Sequence, residues 1–383
     1  MLLNPAFMYA ATWTSVLLLY SLGLSDLLEP LKASTTVLVV GTSLSFILGW
    51  ALESLPYYGR LATSKIDLKL LGDMINSARV ERRLKIIWII FGLGISFEVA
   101  YFHAIPLLSL IGIGPAITYA EFGFHGFHGF VNSMFFAGCI VTFARTLLGS
   151  SKRKRLLVLV TVGYPVLVMS RQVLISVLLQ YLFVYFSFRR PSPVLFVRAG
   201  VTFIATFMAF GYLGDLRTGR DNIISVGVPS FEYPDWLPSA FIWAYIYLCT
   251  PLNNVNYNID IAPHYFPVET AGSLIPSSIR DDFLSELGGA RQWDLVSDAL
   301  NVSSLLQSLL TDFGVSGAII VTLLCGVGFS RLLRRSTSSA GAFFAVIVLL
   351  HGVSLSFFAN LLFQLVFISE IFAITWVVAR GRR

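Results

Sequence analysis

The sequence predicts an all-α polytopic membrane protein, with about ten transmembrane helices and a large extracytoplasmic loop carrying short helices. Three observations predict it. The chain of 383 residues is 56% hydrophobic and only 13% charged, where a soluble domain carries roughly 25% charge. Its apolar residues fall into runs of about 20, the length that crosses a bilayer. Its basic residues collect in short joints between runs, as in Lys152-Arg-Lys-Arg155 and Arg331-Leu-Leu-Arg334-Arg335. The net charge of +6 therefore reads as membrane topology and not as nucleic-acid binding.

The first run, 6–22, follows no charged region and no small-residue cleavage site, so it is expected to be a retained span. The second is 33–52. The joint behind it, 53–85, holds Arg60, Lys65, Lys69, Arg79, Arg82, Arg83 and Lys85. Short basic loops stay cytoplasmic, which turns the second span inward and sets the N-terminus inside. The third span, 86–105, runs out. Residues 106–123 are apolar but broken by Pro106, Gly112, Gly114 and Pro115, as in a re-entrant or interfacial segment. His125 and His128 then stand three apart, a spacing metal ligands use on one helical face. No third ligand lies near them in sequence, and an aromatic interfacial belt is the stronger reading. The fourth span, 130–148, returns inward.

Two spans must fit between Arg155 and Arg189-Arg190. Each has about 16 residues, or about 24 Å, against a hydrocarbon core near 30 Å. The turn between them carries Ser170, Arg171 and Gln172. So short a hairpin predicts a recessed Arg171. It would be either a fixed cation for an anionic substrate or a snorkelling arginine over a thinned bilayer.

The seventh span, 194–213, runs out and opens the polar region. Across 211–312 the chain carries clustered charges and prolines, Pro251 among them, which are expected to break any long helix. Its aromatics give it something to pack, so it reads as a folded loop. The apolar stretch 239–248 is expected to lie on the membrane or under the loop, because an extra crossing would invert every later joint. Spans eight to ten are 305–324, 342–358 and 361–378, ending at Arg380-Gly-Arg-Arg383. Residues 1–213 thus hold seven spans, 214–304 the outer loop and 305–383 three spans, with both termini cytoplasmic. Charges inside spans are few (Glu98, Arg145, Arg198, Glu370) and no internal repeat is visible. Both facts weigh against a coupled carrier. Cys139, Cys249 and Cys325 show neither metal nor disulfide spacing and read as small buried hydrophobes.

The run Asn301-Val-Ser-Ser-Leu-Leu-Gln-Ser-Leu-Leu-Thr-Asp312-Phe313-Gly314-Val-Ser-Gly317 resembles the helix entry of oligosaccharide repeat-unit polymerases, the Wzy-type O-antigen polymerases. Tyr247-Leu-Cys-Thr-Pro251-Leu-Asn253-Asn254, Ser170-Arg171 and 354–360 are similar to further segments of that family. The resemblance implies an inner-membrane glycosyltransferase that needs no metal or cofactor. Its substrate would be an undecaprenyl-diphosphate-linked oligosaccharide, handled among membrane lipids on the periplasmic face. A chain-length regulator protein is the implied protein partner. An O-antigen ligase, a lipid-linked oligosaccharide flippase and a scaffolding protein are the competing readings. The Asp-Phe-Gly entry favours the polymerase over the ligase, and the missing repeat disfavours the flippase.

That chemistry needs cations for a departing diphosphate, a base for the acceptor hydroxyl, and aromatic or amide groups for sugars. Arg171, Arg217, Arg220, Arg280 and Arg291 are the pyrophosphate-binding candidates. His264, with Asp260 near enough in sequence to orient it, and Asp215 are the catalytic candidates. Tyr247, Asn253, Asn254 and Trp236 are the sugar-binding candidates. Plainer roles stand beside these. Arg217 and Arg220 could anchor to headgroups, Asn253-Asn254 could form a turn, Asp312 could cap the eighth span, and Asp281, Asp282 and Glu286 could be a solvated face.

Overall fold

The computed structural model describes residues 4–54, 68–149, 154–189, 219–286, 293–297, 300 and 302–379, with individual helical positions between 194 and 215. Within them the protein is helical, and its one β-type contact is the isolated bridge Ser25–Pro229. Several helices are long and apolar enough to cross a membrane: Ala33–Ser54, Ala78–Leu110, Phe127–Leu147, Arg171–Phe188 and Leu305–Ser336, with Ala340–Ser354 and Leu365–Val378 shorter but equally apolar. The chain is an α-helical membrane protein.

In order, the helices are α1 (Pro5–Ser21), α2 (Ala33–Ser54), α3 (Leu68–Ile75), α4 (Ala78–Phe102), α5 (Pro106–Leu110), α6 (Phe127–Leu147), α7 (Lys154–Leu167) and α8 (Arg171–Phe188). Then come α9 (Arg220–Gly227), α10 (Ala240–Tyr257), α11 (Val268–Gly272), α12 (Ser277–Glu286), α13 (Leu305–Ser336), α14 (Ala340–Ser354) and α15 (Leu365–Val378). The described positions from Val194 to Asp215 are helical as well. Helices therefore stand where apolar runs were read as spans, but two of them reach further. α4 begins at Ala78 and takes in Arg79, Arg82, Arg83 and Lys85, which the sequence assigned to a joint. Lysine and arginine are good helix formers, and the Ser77 hydroxyl caps the start by accepting from Val80 N at 3.3 Å. α13 likewise continues through Arg334 and Arg335.

One pairing dominates the packing, α13 against α2. Membrane helices gain little from the hydrophobic effect between themselves, so close approach of small residues drives association. A Cβ on Gly49 would meet Leu323 O at 2.1 Å, and one on Gly326 would meet Phe46 O at 2.3 Å. Ser45 Oγ and Thr322 Oγ1 share a hydrogen bond of 2.6 Å across the same seam. At the end where α2 finishes, Arg331 Nε donates to Glu53 at 3.1 Å and Arg334 also pairs with Glu53. At that same end Arg83 donates to the carbonyls of Trp376 and Ala379. The opposite end carries the polar loop.

α10 corrects the sequence reading. It runs without interruption through Pro251, where a break was expected. Proline costs a helix roughly 3 kcal/mol, and burial of residues 249–256 outweighs that here. Asparagines on two faces then fix the helix. Asn253 Oδ1 accepts from Tyr20 Oη at 2.6 Å and Glu29 N at 3.0 Å, while its amide donates to Leu27 O. Asn256 does the same for Lys32 N, Thr35 Oγ1 and Pro30 O. On the neighbouring face Asn254 donates to Leu300 O and Val302 O and accepts from Val296 N. Asn258 donates to Asp294 O at 2.8 Å. The α1–α2 connection and the stretch before α13 are thus both stitched to one helix. Tyr245 adds a further stitch by accepting from Leu24 N at 3.0 Å, and its burial pushes the phenol up to about 12.

Candidate functional site

The site starts from a defect in α13. Gly314 has φ 67° and ψ −175° inside an otherwise helical run. That region of backbone space is essentially closed to any residue but glycine. The break splits α13 into an eight-residue buried entry, Leu305 to Asp312, and a long spanning part. Carbonyl groups before a break lose their helical partners and must find others. The segment 263–273 supplies one for Thr311. His264 N donates to Thr311 O at 2.8 Å. Pro263 lies where a Cβ on Gly314 would touch it at 3.2 Å.

Asp312 completes the joint. Its side chain is fully buried, and its two carboxylate oxygens accept from Glu269 N at 2.8 Å and Thr270 N at 2.7 Å. A carboxylate at a helix N-terminus satisfies orphan N–H groups and meets the positive end of the dipole. Asp312 therefore caps α11, in the loop, and not the membrane helix it belongs to. The far end of the same strap is held by Ser273, whose Oγ donates to Phe363 O at 2.8 Å and whose carbonyl accepts from Leu365 N at 3.1 Å. The strap thus bridges the break in α13 to the start of α15.

In the strap and on the helices and turns around it, several buried polar groups have no partner. Gln307 has both amide atoms buried and unpaired, Asn360 likewise, and His351 has both ring nitrogens so. Ser356 Oγ, Thr270 Oγ1 and His264 Nε2 share that state. Buried polar atoms are nearly always paired, and polar residues inside membrane helices mark functional sites by default. The elements that carry them touch. Leu305 N donates to Ser356 O at 2.8 Å, the His351 ring lies 4.9 Å from that of Phe367, and a Cβ on Gly352 would meet Leu362 at 2.7 Å. Amides, hydroxyls and imidazoles suit a ligand that offers many hydroxyl groups.

The residues singled out from the sequence divide. His264 belongs to the strap, with its Nε2 unpaired. Asp260 does not orient it, because its carboxylate forms an exposed ion pair with Lys32 at 2.9 Å. Asp215 accepts from the Ser239 hydroxyl at the start of α10. Arg220 is committed to the loop: it donates to the carbonyls of Pro234, Asp235 and Leu237 and lies over the Tyr233 ring. These contacts give it a structural task within the loop. Asn253 and Asn254, expected to face sugars, are 0% and 2% exposed and serve as the struts described above. Tyr247 packs between Trp243 and Phe358 at ring distances of 4.7 and 5.9 Å. Trp236 is 81% exposed and keeps an open aromatic face.

Arg171 is the first residue of α8, capped by Ser170 Oγ accepting from Val173 N at 3.4 Å. Met169 before it has φ 55°, so the turn is tight. Both arms are short as expected, 14 and 18 residues, or about 21 and 27 Å. Tyr164, near the end of α7, donates to Asn132 near the start of α6 at 2.6 Å. That bond sets the turn near the level of the start of α6. Arg280 sits half-buried on α12 beside Gly272 of the strap. Arg217 and Arg291 lie outside the described residues.

His128 pairs with buried Glu98 at 2.9 Å inside an aromatic cluster with Phe97, Phe122, Phe124 and Phe127. Among the described residues no group of three or more His, Cys, Asp or Glu could hold a metal ion. The sequence reading missed Gln307, His351 and Asn360. The signal was present: each is a polar residue inside an apolar run. No family model, curated protein or solved structure matches this chain.

Proposed function

We propose that this chain is a ten-span inner-membrane glycosyltransferase that polymerises undecaprenyl-diphosphate-linked oligosaccharide repeat units on the periplasmic face. One observation carries the reading: the polar strap 263–273 is docked on the Gly314 break through Asp312, and buried polar groups on it and on the elements around it have no protein partner. The Asp-Phe-Gly segment behind the resemblance is the segment that makes this joint.

In this reading the acceptor hydroxyl attacks the anomeric carbon of the donor sugar. The bond from that carbon to the diphosphate oxygen breaks as the new glycosidic bond forms. His264 Nε2 takes the hydroxyl proton, and the lipid diphosphate leaves with its electron pair. Arg171 and Arg280 meet the departing charge, Arg171 at the level of the bilayer surface where a lipid diphosphate lies. Gln307, His351 and Asn360 hold sugar hydroxyls, and Trp236 offers a stacking face for a neighbouring ring. Asp260 and Arg220 organise the loop without touching substrate.

The test is a cell-based glycan ladder with expression controls. His264→Ala should leave the protein in the membrane while polysaccharide collapses to single repeat units. Arg171→Lys keeps the charge but loses the bidentate fork, and should lower chain formation about 100-fold, one lost oxyanion-type donor. Normal ladders in both variants would remove the mechanism. Orientation is read separately. A cysteine in place of exposed Glu232 should react with an impermeant maleimide added from the periplasm, and one in place of exposed Arg79 should not. Cys139 and Cys249 are buried and give little background. Labelling at Arg79 from outside would invert the topology.

A further inference from the structure

A separate cavity lies at the opposite end of the molecule, between α4, α6 and α7. Its volume is about 450 Å³, within the roughly 300–1,000 Å³ of ligand pockets. Ile89, Leu156, Leu157 and Val160 form its walls, Trp88 and Thr142 its floor, and Lys85 its mouth. The floor is apolar in effect. Trp88 Nε1 donates to Thr142 Oγ1 at 3.3 Å, so the two polar groups satisfy each other. Gly138 permits this, because a Cβ there would stand 2.9 Å from the indole ring.

The cavity opens toward the bilayer. Ile86, Ile89 and Leu93 are exposed along one face of α4, and Leu156 and Leu159 are exposed on α7. The mouth is basic. Arg79, Arg82 and Lys85 are exposed on the first turns of α4. Glu81 is the acid among them, and it is shared between Lys85 at 3.5 Å and Arg145 at 3.6 Å. An occupant must therefore be apolar along its length and negatively charged at one end, and must arrive from the membrane. Apolar walls without an unpaired polar atom exclude a sugar or a polar peptide segment.

We propose that this groove binds one acyl chain of an anionic phospholipid, whose headgroup lies against Lys85. The lipid fixes α7, and with it the α7–α8 hairpin, against α4 and α6. This site is independent of the glycan reading and stands or falls without it.

The experiment uses the full chain in nanodiscs of equal phosphatidylglycerol and phosphatidylcholine, with native mass spectrometry counting the lipids retained on release. The wild type should retain phosphatidylglycerol over phosphatidylcholine by roughly five-fold, the weight of one basic residue facing an anionic lipid. Lys85→Ala should bring the ratio to near parity, whereas Arg335→Ala, an exposed arginine at the same end, should leave it unchanged. Val160→Trp fills the groove and should lose the retained lipid; Ile89→Trp fills it from the other wall if the first variant fails to fold. Equal retention of both lipids by the wild type overturns the proposal. So does a groove-filling variant that keeps its phosphatidylglycerol. An Arg335→Ala effect as large as that of Lys85→Ala assigns the preference to the general surface charge and overturns it too.

Discussion

Gly326→Val is expected to prevent the accumulation of folded protein. A Cβ at that position would stand 2.3 Å from Phe46 O and 2.9 Å from Trp50 N. Both neighbours are backbone atoms of α2, which cannot rotate away as a side chain could. Relief requires the α2–α13 pair, the dominant packing of the fold, to separate. Overpacking a core costs about 1–3 kcal/mol where side chains can adjust, and the cost here should lie at or above the top of that range. A typical protein has only about 5–15 kcal/mol in reserve. Gly49→Val, with Leu323 O at 2.1 Å, should behave alike. Gly328→Val is the control, because nothing lies within 4 Å of its Cβ position. Thermal unfolding of purified protein in detergent measures the effect. A Gly326→Val protein melting with the wild type would mean that the helices do not meet at this seam.

Asp312→Ala should abolish long-chain glycan while leaving the membrane helices in place. The variant leaves the N–H groups of Glu269 and Thr270 without acceptors, at about 1–3 kcal/mol each when buried. The strap then loses its anchor beside the break, and His264 loses its fixed position. Asp312→Asn should fail almost as completely. Its amide offers one acceptor where two are used, and turns a donor toward an N–H group. Hydrogen exchange separates local from global loss: amides at 264–273 should exchange faster, while those of α2 and α6 should not. Unchanged exchange in the strap, or a normal glycan ladder, would remove Asp312 from the joint that supports the proposed site.

Much of the architecture was legible because the signals that set it are local. A run of apolar residues must satisfy its backbone within itself in lipid, so it becomes a helix wherever it occurs. This is why 33–52, 130–148 and 361–378 nearly coincide with observed helices. The paired short arms around Arg171 followed from counting residues between basic joints. The polar region was also recognised as folded, because its aromatics and prolines are read directly from composition.

The roles inside that region were not legible, because a hydrogen bond has no signature in the neighbouring sequence. Asn253 looked like a turn or a sugar ligand until Tyr20, 233 positions away, was found to donate to it. Arg220 looked free for a phosphate until the carbonyls of 234–237 folded over it. Asp260 stood four residues from His264, yet it turned to Lys32. Pro251 carried a strong local penalty, and burial of the residues around it overrode that penalty. By itself the sequence determined which segments are helical and apolar, and where charge gathers. Tertiary structure alone decided which polar groups pair and which stay unpaired at Gln307, His351 and Asn360, because pairing depends on distances that only the packed helices create.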